Sequence, residues 1–414
     1  MKILWVNQYF LHPTERGGQI RTLGILRQLH RRHEVHYAAL EDPATTEGMD
    51  MAHTFSTRAY RVPHPVISRR SPAFLLQLAW NLFGSNLPLA VSRYASPELL
   101  QKVTALEAAE RFDCIVCDFV ASGVNIADIK RAVIFQHNVE TTIFERHAQH
   151  AKTPIHRWFF GLQAHRMRAY EERMCRSSIH VIAVSPIDAQ RMRDMFQIAN
   201  VSDVSTGVDV DYFRKSETRT PEIEFVFVGS MDWLPNIEGV VWFAKEILPL
   251  IRRRKSTCRV AIVGRKPGPE ILALAAADPL IEVTGTVPDV RPYLWNSQIS
   301  ILPLRIGGGT RMKVYEAMAA GLPVVSTSVG IEGLACQPGR DLLIGDSPEE
   351  FAERCISLLD DPNLRNNISE SGFRLVDESC SWEAVSRQFE KVLLEAAQTL
   401  RRNDGGPSAP QLEA

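Results

Sequence analysis

Between Leu304 and Val325 an apolar run leads into Gly307-Gly308-Gly309, then Thr310 and Arg311, a short helical pattern holding Lys313 and Glu316, and a Gly321-Leu322-Pro323 stop. Consecutive glycines let a backbone approach a ligand closely, and a helix starting beside them offers free N–H groups and partial positive charge to an anion. Arg311 and Lys313 add full charges at the same mouth. Glu316, further along the helix, is placed to accept hydrogen bonds from ribose hydroxyls. These residue types suit the holding of a nucleoside phosphate. No Gly-Lys-Ser/Thr follows the glycines and no third glycine completes G-x-G-x-x-G, so neither fixed-spacing phosphate signature applies. A glycine turn beside a surface basic pair would not call for glycines, two cations and a helix start together.

Other candidates carry less. His137, in Gln136-His137-Asn138-Val139-Glu140, follows an apolar strand pattern. A lone histidine there is commonly a packed structural residue, but its strand-end position beside Asn138 and Glu140 makes it a site candidate. Asp209-Val210-Asp211 is formally a D-x-D, a common chance match, and no His/Cys pair has zinc spacing, so no metal is expected. Glu171-Glu172 read as structural partners of the basic helix before them, and Ser185 as a cleft residue or a helix cap. Cys114 and Cys117 form a C-x-x-C inside an apolar strand pattern, where positions i and i+3 face opposite sides; they read as buried thiols.

The elements that must position these residues alternate between strand and helix in two series. The first has an apolar run over 3–10, a turn with Gly17-Gly18, a helix over 19–32, then strands at 35–40, 114–117, 133–135 and 181–184, with a long helix over 157–175. A polar segment at 213–224 containing Pro221 reads as a linker. The second series has strands at 225–228, 260–263, 281–284, 299–304, 323–326 and 342–344, with helices over 240–254 and 270–277. Ser347-Pro348-Glu349-Glu350 is a capping box opening a helix to about 359, and a last helix spans 382–400 before a Gly/Pro/Ser-rich tail, 403–414, expected to be disordered. Such alternation implies two α/β domains, doubly wound around parallel sheets, over 1–212 and 225–381. Ligands of such sheets bind at the carboxyl ends of the strands, so the expected site is a cleft between the domains.

Composition narrows the class. The chain has 414 residues and a formal charge of −1, with 45% apolar and 23% charged residues, values of a folded globular protein without a global bias toward nucleic acid. Residues 1–200 carry 24 Lys/Arg against 18 Asp/Glu and all 12 histidines, whereas residues 201–414 carry 23 against 30, so the two halves suit different partners. Seven cysteines, an odd count, argue for a reducing compartment, and the first residues show no apolar signal core. The run 73–91 is broken by Gln77, Asn81, Gly84 and Pro88 and is too interrupted to span a bilayer. The expectation is a cytoplasmic protein that at most leans on a membrane. Two basic-aromatic segments bear on that: Arg69 and Arg70 beside the run 74–83, and Arg157, Arg166, Arg168, Arg173 and Arg176 around Trp158, Phe159 and Phe160. They could lie on an anionic membrane, although a solvated helix with a core-facing aromatic side is the favoured reading.

The stretch Glu316-Ala317-Met318-Ala319-Ala320-Gly321-Leu322-Pro323 resembles the signature of glycosyltransferase group 1, or family 4, of the GT-B fold. Further matches stand in the right order: Gly17-Gly18, Gly207-Val208-Asp209 with Phe213, Phe227-Val228-Gly229, and Ile262-Val263-Gly264 before Pro267-Gly268-Pro269. The resemblance covers nearly the whole chain. It implies two facing Rossmann-like domains, an N-terminal acceptor domain braced by the last helix and a C-terminal donor domain. It also implies transfer of a hexosyl group from a nucleotide sugar, usually with retention at the anomeric carbon.

By the same resemblance Glu316 would hold the ribose, and Gly17, Gly18, Gly309, Thr310, Arg311, Lys313 and Arg265 the diphosphate. His137, Gly307 and Gly308 would face the sugar, and His137, Arg311 and Lys313 would be catalytic. The sequence departs from the family at three places: Gly308 replaces the first of two glutamates, and Ser230 and Asn236 replace an Arg and a Lys at the diphosphate. Arg311, Lys313, Arg265 or Lys266 would then supply the missing charge, with Arg311 and Lys313 favoured because they adjoin the glycines. The expected partners are a UDP- or GDP-linked donor and a glycan or lipid-linked acceptor, with no metal or other cofactor. A nucleotide-sugar epimerase or hydrolase, or an inactive nucleotide-binding scaffold, are the alternatives on the same fold.

Overall fold

A computed structural model describes residues 1–14, 16–44, 47–65, 67–68, 71–214, 221–306 and 311–403. Two units form, one from Met1–Ser205 with Val385–Ala414 and one from Thr206–Ala384. In the first, strands β1 (Lys2–Asn7), β2 (Glu34–Glu41), β3 (Arg58–Pro63), β4 (Cys114–Asp118), β5 (Ala132–Phe135), β6 (His180–Ala183) and β7 (Val201–Asp203) pair in the order β3-β2-β1-β4-β5-β6-β7. In the second, β8 (Ile223–Val228), β9 (Val260–Val263), β10 (Ile281–Gly285), β11 (Ser297–Leu302), β12 (Val324–Ser326) and β13 (Leu343–Ile344) pair as β10-β9-β8-β11-β12-β13. Every pairing is parallel. Parallel strands covered by helices on both faces are apolar on both faces, which is why Ile3-Leu4-Trp5-Val6 and Val260-Ala261-Ile262-Val263 read as continuous runs and are fully buried. The order reverses between β1 and β4 and between β8 and β11, so each sheet has a switch point at the carboxyl ends of those strands.

Helix starts follow a repeated local signal. The helices Pro72–Gly84, Pro97–Ala109, Pro154–Ser177, Pro186–Phe196 and Pro348–Asp360 each begin with proline after a Ser or Thr whose hydroxyl accepts a backbone N–H. The hydroxyl satisfies a donor the first turn leaves open, and proline has no N–H to lose there. Ser185 is one of these caps, and Asp209 caps Val210–Phe213 in the same way, which accounts for the first carboxylate of the D-x-D.

Two expectations are corrected. The unit boundary falls at residues 205/206, not 212: Val208 pairs with Ser381 and donates to Cys380 O at 2.8 Å, while Gly207 lies under the Trp382 ring, where a Cβ would stand 2.5 Å away. The stretch 213–224 is not all linker, because Phe213 is buried in the second core and Ile223 and Glu224 begin β8. Residues 215–220, and the tail from 404, lie outside the described residues. Strand β3 was not foreseen because its burial is that of a polar edge, with Arg58 exposed and Val62 its buried apolar residue.

The last helix, Trp382–Asn403, belongs to the first unit from Val385 onward. Phe389 stacks on Trp5 at 5.5 Å and meets Phe135 edge-on at 4.9 Å, and Glu390 bonds Arg32 at 2.7 Å and His33 at 2.6 Å. All seven cysteines are free thiols.

Candidate active site

In the second unit the chemistry gathers at the carboxyl ends of β8 and β11 and the start of the Met312–Ala319 helix. Arg311 is its buried N-cap residue, with Nη2 donating to Val329 O at 3.3 Å. The Lys313 ammonium donates to Asn236 Oδ1 at 2.7 Å and lies 4.6 Å from the centre of the Phe227 ring. Burial lowers its pKa to about 8, partly offset by the nearby Glu316 carboxylate. Burial also raises the Glu316 carboxyl above the usual carboxylate range, against the pull of Lys313. Backbone has to come close here. A Cβ on Gly264 would stand 1.7 Å from Gly229 O, and one on Gly229 would stand 2.7 Å from Lys313 Nζ, so neither position takes a larger residue without a shift.

Ser230 and Asn236, which stand where the resemblance expects cations, each hold the side chain of a cation from elsewhere in the chain. Arg265 Nε donates to Ser230 Oγ at 2.8 Å, and Lys313 reaches Asn236, whose Nδ2 donates to Ser230 O at 2.8 Å. Two cations thus sit on the two side chains that replace cations. Lys266 is paired instead with Asp232 at 3.2 Å. Gly307, Gly308, Gly309 and Thr310 lie outside the described residues.

In the first unit His137 follows β5, buried and stacked on Phe119 at 4.0 Å. Its Nε2 bonds Asp118 Oδ1 at 2.7 Å, and an ionised carboxylate accepts only, so Nε2 carries the proton. Burial lowers the His137 pKa against the raising effect of Asp118, which favours the neutral ring with Nδ1 as an acceptor. That Nδ1 is buried and has no hydrogen-bond partner among the described residues. Asp118 was not singled out from sequence, yet it is the hub: Oδ2 accepts from Trp5 Nε1 at 2.9 Å, Asn7 Nδ2 at 2.7 Å and Thr22 Oγ1 at 2.8 Å. Phe119, at the switch point, has φ +61°, a left-handed backbone that bulky residues rarely adopt and that clusters at functional sites. A Cβ on Gly18 would meet its ring at 2.5 Å, whereas Gly17 faces open space.

Of two further buried groups, Arg21 escaped the sequence and Glu171 has partners other than those expected. Arg21 lies over the Phe135 ring at 4.2 Å and donates to Gln136 O at 2.7 Å, Ala183 O at 3.2 Å and Val204 O, tying together the carboxyl ends of β5, β6 and β7. Glu171 does not pair with the basic helix as expected. It is buried and accepts from Gln136 Nε2 at 2.8 Å, Glu140 N at 3.0 Å, and Thr141 N and Oγ1 at 2.8 and 2.6 Å, so it clamps the loop that carries His137. Burial pushes its pKa up to about 7. Glu172 pairs with Arg176 at 2.9 Å.

Beyond β1, β2 and β3 a cavity of about 570 Å³ opens within the first unit, lined by Tyr9, Arg16, Glu41 and Tyr94 among others. Three of its lining side chains, Gln8, His12 and Gln77, each keep one buried polar atom with no hydrogen-bond partner among the described residues. Elsewhere Glu34, His36 and Glu110 come together with metal-like spacing, but the Lys2 ammonium already bridges both carboxylates, 3.3 Å from Glu34.

Two all-parallel Rossmann-like sheets with a phosphate-suited helix start define a GT-B protein. Residues 16–212 match the family described as Glycosyltransferase Family 4 and residues 222–361 the one described as Glycosyl transferases group 1; the chain belongs to the group 1, family 4 glycosyltransferases. It is similar to D-inositol 3-phosphate glycosyltransferase 2 of Catenulispora acidiphila, 26% identical over 226 residues, which are 49% of this chain and 52% of that protein. The chain spans about half the length of the curated relatives it matches. Its fold is shared with a glycosyltransferase from Rickettsia africae (TM-score 0.62, 14% identity, 95% of this chain and 98% of that one). It is shared also with HepE from Anabaena, crystallised with UDP (TM-score 0.64, 12% identity, 95% and 100%).

Proposed function

We propose that this chain transfers a hexosyl group from a UDP- or GDP-linked sugar to a glycan or lipid-linked glycan acceptor. On this reading transfer retains the anomeric configuration, needs no metal, and serves polysaccharide or glycoconjugate synthesis. The observation that carries the reading is the part-buried Lys313 ammonium, held on Asn236 in the first turn of the Met312–Ala319 helix and one turn before Glu316. Family membership supports it, and the UDP held by HepE makes a uridine nucleotide the first donor to test.

In this reading Glu316 accepts hydrogen bonds from the ribose and Arg311, Lys313 and Arg265 face the diphosphate. As the bond from C1 of the sugar to the phosphate oxygen lengthens, the sugar becomes oxocarbenium-like and negative charge grows on the phosphate. A fixed donor aimed at that charge is worth about 3–4 kcal/mol. Retention follows if the acceptor hydroxyl attacks the face the phosphate leaves. Its oxygen bonds C1, the C1–phosphate electron pair departs with the nucleotide, and the hydroxyl proton passes to the departing phosphate oxygen. The cavity of the first unit is the proposed acceptor pocket, because Tyr9 and Tyr94 offer stacking faces and the three unpartnered polar atoms suit a polyhydroxylated ligand.

The test is a thermal-shift panel of UDP, GDP, ADP, CMP and dTDP with and without EDTA. A nucleotide at a hundred times its Kd stabilises its unit by about 2.7 kcal/mol. One nucleotide is expected to raise Tm, equally in EDTA, and its sugar conjugate to yield product only with an acceptor present. No shift with any nucleotide would overturn the site; turnover of the donor without acceptor would give the chain to the epimerase or hydrolase class.

A further inference from the structure

The helix Pro72–Gly84 half-buries Phe74, Leu78 and Leu82 beside Asn81 but leaves a second apolar face to water. A surface helix normally buries its apolar stripe and exposes its polar one. Here the buried residue is Asn81, fixed from both sides: its Nδ2 donates to Leu87 O at 2.9 Å and Ser92 Oγ at 3.0 Å, and its Oδ1 accepts from Gln163 at 3.2 Å. Arg166 holds the same helix by its last turn, donating to Asn81 O at 2.8 Å and Leu82 O at 3.1 Å. Meanwhile Leu76 is 73% exposed, Trp80 59% and Phe83 89%. Leu75 is exposed as well. The Pro154–Ser177 helix, which holds Asn81 through Gln163 and Arg166, shows the same trait in its first turns, with Ile155 70% and Trp158 60% exposed. The aromatic side of this basic segment is therefore not core-facing throughout, which corrects the reading favoured from sequence.

Charge selects the partner. From Met51 to Pro97 there is no Asp or Glu, against Arg58, Arg61, Arg69, Arg70 and Arg93, of which Arg58 and Arg61 pair in the fold with Glu110 and Glu41. Between Glu145 and Glu171 there is again none, against Arg146, Lys152, Arg157, Arg166 and Arg168. Both segments that expose large apolar side chains are thus purely cationic, in a chain whose overall charge is −1. Leucine, tryptophan and phenylalanine facing out from segments whose own sequence holds cations and no acids is the pattern of a helix lying in the headgroup boundary of an anionic bilayer. Thirteen helical residues reach about 20 Å, short of the ~30 Å hydrocarbon core. Among the described residues no helix is long and apolar enough to cross a membrane, so the contact is interfacial.

We propose that the exposed faces of Pro72–Gly84 and the first turns of Pro154–Ser177 form a docking surface for an anionic lipid bilayer. Leu76, Trp80 and Phe83 enter the headgroup boundary, and Lys152 and Arg157 meet lipid phosphates. The surface is independent of the donor machinery in the second unit, and it deepens the transfer reading by placing the acceptor on a membrane.

The test is flotation of the full chain with vesicles of phosphatidylcholine alone and with one-third phosphatidylglycerol, alongside Trp80→Ser/Phe83→Ser and Lys152→Gln/Arg157→Gln. Both pairs are at solvent-facing positions, and an unchanged Tm certifies the fold. The native chain is expected to float with the anionic vesicles at least tenfold better than with the neutral ones. The Trp80/Phe83 variant should lose about tenfold or more, and the Lys152/Arg157 variant should lose mainly the anionic preference. A native chain that stays with the soluble fraction, or a Trp80/Phe83 variant that floats as well as native, would overturn the proposal. So would concentration-dependent dimerisation that the same variant abolishes, since that gives the face to a second copy. Nucleotide-induced stabilisation, measured on the same samples, is expected to be unchanged and reports separately on the transfer reading.

Discussion

Replacing Lys313 by Met separates a lysine kept for a ligand from one kept for the fold. Its pKa is lowered from 10.5 to about 8, chiefly by burial. At 1.36 kcal/mol per unit that is a cost of about 3 kcal/mol for carrying the charge, or about 2 once partial contact with water is discounted. Removing the ammonium leaves Asn236 Oδ1 without its donor, which takes back about 1 kcal/mol. The net expectation is a ligand-free variant about 1 kcal/mol more stable than native, or ~2–4 °C in Tm for a unit of this size. The nucleotide response goes the other way. Loss of a charge-assisted bond to phosphate costs about 1.5–3 kcal/mol, so a nucleotide that stabilises the native chain by ~2.7 kcal/mol should stabilise the variant by only ~0.3–1.3 kcal/mol. The sign with pH follows. The penalty is fully present below about 8, where folded and unfolded lysine are both charged, and fades as pH rises from about 8 to 10.5. The Tm advantage of the variant should shrink over that window, and native affinity for nucleotide should fall with it. Calorimetry with and without nucleotide at pH 7 and pH 9.5 reads both effects. A variant that is less stable without ligand and keeps the native nucleotide shift would refute the argument, because Lys313 would then be a structural group.

The remaining expectations are narrower. Glu316→Ala should weaken nucleotide binding about tenfold by calorimetry while leaving Tm without ligand near native or slightly raised, since it removes a carboxylate that burial disfavours; unchanged affinity would remove Glu316 from the ribose role. Glu171→Gln puts an amide N–H against donors from Thr141 and should cost about 2–3 kcal/mol of stability at pH 8. For native Glu171, whose pKa is raised to about 7, protonation favours the fold, so its contribution is fully present below about 4.5 and declines as pH rises to about 7. A Glu171→Gln Tm equal to native at pH 8 would contradict the clamp.

Local pattern was enough to read most of the parallel strands, the Ser347-Pro348 helix start and the residue types around Arg311, Lys313 and Glu316. Each rests on an interaction within a few residues: an apolar run buried on both sheet faces, a hydroxyl capping its own helix, cations beside a helix start. What stayed hidden depended on partners distant in sequence. Asp118 is one carboxylate among many until β1, β4 and β5 align side by side and bring Trp5, Asn7 and His137 to it. Glu171 and Arg21 look like solvated charges on helices until the loop after β5 closes over them. The departures at Ser230 and Asn236 leave four candidate cations in the sequence, and only the fold shows that Arg265 reaches Ser230 and Lys313 reaches Asn236 while Lys266 pairs with Asp232. Composition placed apolar residues in 72–84 just after Arg69 and Arg70, and apolar and basic residues together in 154–177, but not which side they face. Orientation came from burying Asn81 against Gln163, Leu87 and Ser92, polar contacts that accompany the exposure of Leu75, Leu76, Trp80 and Phe83. Sequence thus determined the elements and the kinds of chemistry they carry; tertiary structure decided which charges are paired, which are buried and which face is left to a partner, since those depend on neighbours that only the folded chain supplies.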